Sequence, residues 1–95
     1  MTMIVNAITA ATTASVPASA SSVEIFPSMG SGNGRTVFND STATLYLKFG
    51  TTASATSYTV QLAAGAYFEF PLPLYVGEVD GIWSAANGDA RITWW

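Results

Sequence analysis

The sequence predicts an all-β protein: a small antiparallel β-sandwich, or a barrel-like domain, of six to seven strands preceded by an extended N-terminal arm. Three observations predict it. Short stretches in which apolar and polar residues alternate recur from Val23 onward. Clusters of Gly, Pro, Asn and Asp punctuate them at intervals of roughly 8–12 residues, the rhythm of a sandwich or barrel. No stretch carries the apolar period of a helix. A chain of 95 residues has room for one such domain.

The arm comes first, over residues 1–22. It is mostly Ala, Ser and Thr, with too little apolar bulk to offset the entropy of ordering it alone. Its isolated branched residues Ile4, Val5, Ile8 and Val16 are candidate assembly contacts, through which the arm would lie along a neighbouring subunit. Ala18-Ser19-Ala20 has the small residues of a signal-peptide cleavage site, but no basic region and no continuous apolar stretch precede it.

The β domain spans residues 23–95. Val23–Phe26 is its first strand, stopped by Pro27, and the loop Ser28 to Gly34 is rich in glycine. Thr36–Asn39 follows, with Asn39-Asp40-Ser41 as a turn. Ala43–Phe49 alternates, placing Leu45, Leu47 and Phe49 on one face and Thr44, Tyr46 and Lys48 on the other. Tyr58–Leu62 alternates again, and Ala63-Ala64-Gly65 connects it to Ala66–Phe70. Pro71 and Pro73 take the chain out of the sheet. Glu78–Ala85 carries Gly81 at its middle, the mark of a bulge or a close backbone approach. Asn87-Gly88 reads as a hairpin turn into the last strand, Asp89–Trp94.

Composition narrows the function. The chain has no Cys and no His, which removes disulfides, thiol chemistry, the usual general base and the commonest metal ligand. Six acidic and three basic residues give a net charge of -3, so neither nucleic acid nor an anionic membrane is an expected partner. Only 9% of residues are charged while 49% are hydrophobic. So apolar a surface is explained if neighbouring subunits cover much of it, and a homo-oligomer is expected.

Glu78 and Asp80 share a strand face and are the best placed carboxylates for a cation or a sugar; a solvated strand face is the plainer reading. Tyr67, Tyr75 and Trp83 form a candidate stacking surface, with core packing the alternative. Trp94 and Trp95 are expected to be tucked against this domain or a neighbour, because two fraying tryptophans would be an exposed liability. Asn39-Asp40-Ser41 matches a glycosylation acceptor as well as a turn, and Arg35 reads as a solvated flank. No catalytic residue, metal ligand or cofactor site is expected.

Several segments resemble a group of small virion proteins of tailed bacteriophages. They are Gly34-Arg35-Thr36-Val37-Phe38-Asn39-Asp40-Ser41, Leu45-Tyr46-Leu47-Lys48-Phe49-Gly50, Ser57-Tyr58-Thr59-Val60-Gln61-Leu62, Gly65-Ala66-Tyr67-Phe68-Glu69 and Gly81-Ile82-Trp83-Ser84-Ala85-Ala86-Asn87-Gly88. The resemblance implies a structural component of the particle with a β-sandwich and no enzymatic activity. The expectation is therefore a capsid decoration or cement protein at the virion surface, bound to the major capsid protein or other virion subunits. A neck or tail component and a carbohydrate- or receptor-binding module are the alternatives.

Overall fold

The computed structural model describes residues 7–95, and its regular structure is entirely strand. Eight strands follow in order: β1 (Thr12–Pro17), β2 (Val23–Phe26), β3 (Arg35–Asp40), β4 (Leu45–Phe49), β5 (Val60–Leu62), β6 (Tyr67–Glu69), β7 (Val79–Trp83) and β8 (Asp89–Trp94). They form two four-stranded sheets, one in the order β1-β8-β3-β6 and the other β2-β7-β4-β5. Every strand pairing is antiparallel.

The first strand pairs with the last, the second with the seventh, the third with the sixth and the fourth with the fifth. This is a long hairpin rolled up on itself, with β3–β8 and β4–β7 as the seams that the rolling creates. An eight-stranded double sheet so wound is a jelly roll. The expected sandwich is therefore present, with one strand more than six to seven.

The additional strand, β1, lies within the arm. It is held by six residue pairs with β8, from Thr12↔Trp94 to Pro17↔Asp89. Thr-Thr-Ala-Ser-Val-Pro has no apolar alternation, and apart from half-buried Val16 its residues are exposed. Main-chain hydrogen bonds keep it in the sheet rather than burial, so its side chains carry little signal of it.

The rolled topology also changes the meaning of the turns. Only β4 and β5 are both consecutive and paired. Asn87-Gly88 does not close a hairpin: β7 belongs to one sheet and β8 to the other, and the turn crosses the end of the sandwich. Gly88 still needs its positive φ of 84°. The Asn87 side chain accepts hydrogen bonds from the Thr42 N–H (3.2 Å) and hydroxyl (2.6 Å), tying two sheet-crossing turns together.

The core lies between the sheets. Leu45, Leu47, Val79 and Trp83 face inward from one, and Val37, Ala90 and Ile92 from the other. Gly81 is a close approach: a Cβ there would press on Ile25 and Leu45 side-chain carbons at 2.9–3.0 Å. The nearby bulge lies on the neighbouring strand, between Glu24 and Phe26. At one end, Phe26, Phe49, Phe68, Phe70 and Tyr75 form an aromatic cluster, with Phe49 stacked between Phe70 (4.8 Å) and Tyr75 (4.9 Å). Each such side chain taken from water contributes roughly 1.5–3 kcal/mol.

Candidate interaction surfaces

Directly opposed residues of antiparallel strands share a sheet face. On the outer face of the first sheet the pairs Ser15↔Arg91, Arg91↔Phe38 and Phe38↔Tyr67 form a continuous row across all four strands. Phe38 is 36% exposed and Tyr67 60%, although both belong to strands. Arg91 sits between the aromatic pair and the arm. It donates from Nε to Asp40 Oδ2 (3.0 Å) and from Nη1 to Ser15 Oγ (2.6 Å). An exposed ion pair like this one contributes under about 1 kcal/mol, but with the Ser15 bond it holds the guanidinium between β3 and β1. Tyrosine, phenylalanine and arginine together on one sheet face match the composition of protein-binding surfaces.

The proposed stacking surface of Tyr67, Tyr75 and Trp83 is not assembled. Trp83 is 2% exposed and donates its indole N–H to Asn39 Oδ1 (3.1 Å), so it is a core residue with no face to offer. Its strand position points it between the sheets, where it fills volume that no smaller side chain would. Tyr75 is partly buried, stacked on Phe49, and its hydroxyl donates to the Glu78 carbonyl (2.9 Å). Tyr67 alone is open, and its neighbour across the strand pair is Phe38. A β-strand places residue and partner together only through register, which alternation within one strand does not reveal.

Asn39 is likewise core rather than a glycosylation acceptor. It is fully buried, and its Nδ2 donates to the carbonyls of Ala43 (2.8 Å), Leu62 (3.0 Å) and Ala63 (3.1 Å).

The candidate assembly residues separate. Ile4 and Val5 lie outside the described residues. Ile8 is 51% exposed, while Val16 packs against the core. Trp94 meets Phe26 edge-on (6.1 Å), and the Trp95 indole lies directly against the Gly34 backbone, which only a residue without a Cβ allows. Trp95 also exchanges main-chain hydrogen bonds with Gly34, both at 3.1 Å. Both tryptophans are thus tucked into this domain.

Beside them an open cleft of about 460 Å³ is lined by Met29, Ser31, Asn33, Leu74, Trp94 and Trp95, with Arg35 at its floor. Arg35 is no solvated flank; it is 1% exposed. Nη1 donates to the carbonyls of Tyr75 (3.1 Å) and Gly77 (2.8 Å), and Nη2 to those of Pro27 (2.9 Å) and Val76 (3.2 Å). Its guanidinium lies 4.8 Å from the Phe26 ring centroid. Burial pushes its pKa down, partly offset by Tyr75, and it remains charged. The cation is consumed in binding two loops to the sandwich and is not presented to a ligand.

Glu78 and Asp80 do lie close together, but on a partly covered face. Asp80 is 7% exposed, and the Ala53 N–H, also buried, donates to the same Ser22 Oγ (2.9 Å) that lies 3.5 Å from Asp80 Oδ2. Asp80 Oδ1 has no hydrogen-bond partner. Glu78 has its pKa raised above the ordinary 4.5, first by the hydrogen bond it shares with Asp80, then by burial and by the charges of Asp80 and Glu24. Among the described residues no three acidic side chains converge as a metal site would require. No family model matches this chain, and no curated protein or solved structure matches it either.

Proposed function

We propose that this chain is a non-enzymatic structural protein of a tailed-phage virion, a decoration or cement protein that binds the outside of the capsid. The observation that carries the reading is the outer face of the first sheet, with Arg91, Phe38 and Tyr67 in one row and both rings exposed. Such a face suits a broad protein surface rather than a small molecule, which a concave site would enclose. The jelly roll supports it by analogy, since viral capsid domains use this architecture. The sequence resemblance to small virion proteins points the same way, as does the scarcity of charge.

The mechanism is passive. The aromatic row and the arm dock on neighbouring subunits, and binding that favours the assembled shell stabilises it by mass action over many copies. Quantitative mass spectrometry and cryo-EM of purified virions carrying the protein test this. Hundreds of copies on the head are expected; a handful at the neck or tail would make it a connector instead.

Tyr67 beside Phe38 favours one further reading, a carbohydrate-binding module, since jelly rolls also serve as lectin domains. A glycan array separates the two, because a decoration protein gives no glycan hits.

A further inference from the structure

Among the described residues nothing pairs with the outer edge of the arm strand β1, and the geometry points to a second copy of this chain as the strand that does. This deepens the reading above, that the protein works as one of many copies, by naming the partner and the bonds.

Natural sheets guard their edges with charge, proline, bulges or shortness. Three edges here are guarded. β6 carries Glu69 and runs into Pro71; β2 carries Glu24, a bulge and a following Pro27; β5 has only three residues. β1 has six residues, no charge and no bulge; its one guard, Pro17, stands at the last residue and leaves Thr12–Val16 open, and no residue from Ala7 to Val23 is charged. Two molecules of net charge -3 repel one another, and this uncharged edge is where their approach is least opposed. It is complementary to an equally uncharged edge, and to a charged one it offers no counter-ion.

Hydrogen-bond phase identifies the groups available. Ala18 donates its N–H to Gly88 O (3.0 Å) in the ladder that continues the β1–β8 register. Bonded pairs alternate in an antiparallel ladder, so Val16, Ala14 and Thr12 turn their main-chain groups to β8. On the other side of β8 the Trp95–Gly34 exchange fixes the complementary phase, which leaves the two assignments consistent. Thr13 and Ser15 therefore present N–H and C=O to the free edge, and Pro17, which has no N–H, sits there in the same phase.

A two-fold axis at Ala14 sets Thr13 opposite Ser15 of the second copy. Both carry free-edge groups, so they exchange main-chain bonds in ideal antiparallel fashion, and the isologous pairing closes. The inward face of β1 favours the same outcome. Thr12 and Ala14 lie on the core side, opposite Trp94 and Ile92, yet remain exposed, and Ile8 is 51% exposed just before the strand. A second arm laid alongside would cover them.

Analytical ultracentrifugation and amide hydrogen exchange of the purified full chain test this. The expected result is a reversible dimer in which the Thr13 and Ser15 amides gain protection as concentration rises, while those of Ala14 and Val16, already bonded to β8, do not change. Thr13→Pro, which removes a free-edge donor and spares the β8 ladder, is expected to weaken dimerisation about tenfold to a hundredfold. Thr13→Lys, which keeps the donor and guards the edge with charge, should weaken it too. A chain that stays monomeric at millimolar concentration, or a dimer whose Thr13 and Ser15 amides stay open or which tolerates both variants, overturns the inference. Virion copy number is read separately, so either reading can fail alone.

Discussion

Two charged side chains are buried in this small sandwich, and their surroundings differ. Arg35 enters the end of the fold and meets the carbonyls of Pro27, Tyr75, Val76 and Gly77, with the Phe26 ring beneath it. Asp80 lies on the outer face of the second sheet under the Ala53 loop and meets another carboxyl group. Lys48 stands directly across from it in register, yet Lys48 Nζ donates instead to Thr52 O (3.2 Å) and Ser57 Oγ (2.9 Å). The two Nη atoms of Arg35 are solvated by backbone that cannot titrate or leave. Each ion keeps one buried atom without a partner, Arg35 Nε and Asp80 Oδ1, but only the anion lies beside a like charge. A buried ion can thus organise a fold without a counter-ion if main-chain dipoles replace water, and is a weak point where they do not.

The largest expected effect breaks the better solvated site. Arg35→Met keeps the volume but strands the carbonyls that the guanidinium gathers, and should cost about 3–5 kcal/mol, read as a lowered midpoint in chemical denaturation. An unchanged midpoint would show that the loops hold without the cation. A smaller effect reaches the same end from the other side. Gly34→Ala drives a Cβ into the Trp95 indole and should cost about 1–3 kcal/mol, with a change in tryptophan fluorescence as that ring is displaced.

The smallest effect belongs to the acidic site. Asp80→Asn removes the like charge and should leave stability within about 1 kcal/mol of the parent at neutral pH, in the stabilising direction. The pH dependence is sharper evidence. Glu78 has a raised pKa in the fold, so between 4.5 and that raised value the folded chain holds a proton that the unfolded chain has lost. Stability from this group is therefore full below pH 4.5 and falls as pH rises through the folded pKa. Thermal melts at stepped pH should show that fall in the parent and a smaller one in Asp80→Asn, where only burial and Glu24 still raise the pKa. A fall of equal size in both would remove Asp80 as its cause.

The strands of the second sheet were the most legible part of the fold. Leu45, Leu47 and Phe49 alternate with Tyr46 and Lys48 because one face of β4 is covered by core and the other is not. β1 was not legible, since its place depends on main-chain bonds to β8 that its side chains do not report. Arg35 and Asn39 were misread for a related reason. Both sit beside turn-forming residues, and local sequence describes them as surface, whereas their partners are carbonyls 4 to 42 positions away. The Phe38–Tyr67 pair was half legible: Tyr67 stood out as a candidate stacking aromatic, but only register supplied Phe38.

By itself, the sequence determined that this is an all-β sandwich, since alternation and turn chemistry are local and act wherever the strands end up. It determined too that His and Cys chemistry has no part here. Only the tertiary structure decided that consecutive strands mostly change sheets, that the arm donates a strand, and that Arg91, Phe38 and Tyr67 stand in one row. Those are matters of register between distant segments. Register is set by how the whole hairpin rolls to bury one face of each sheet, a condition that no single segment contains.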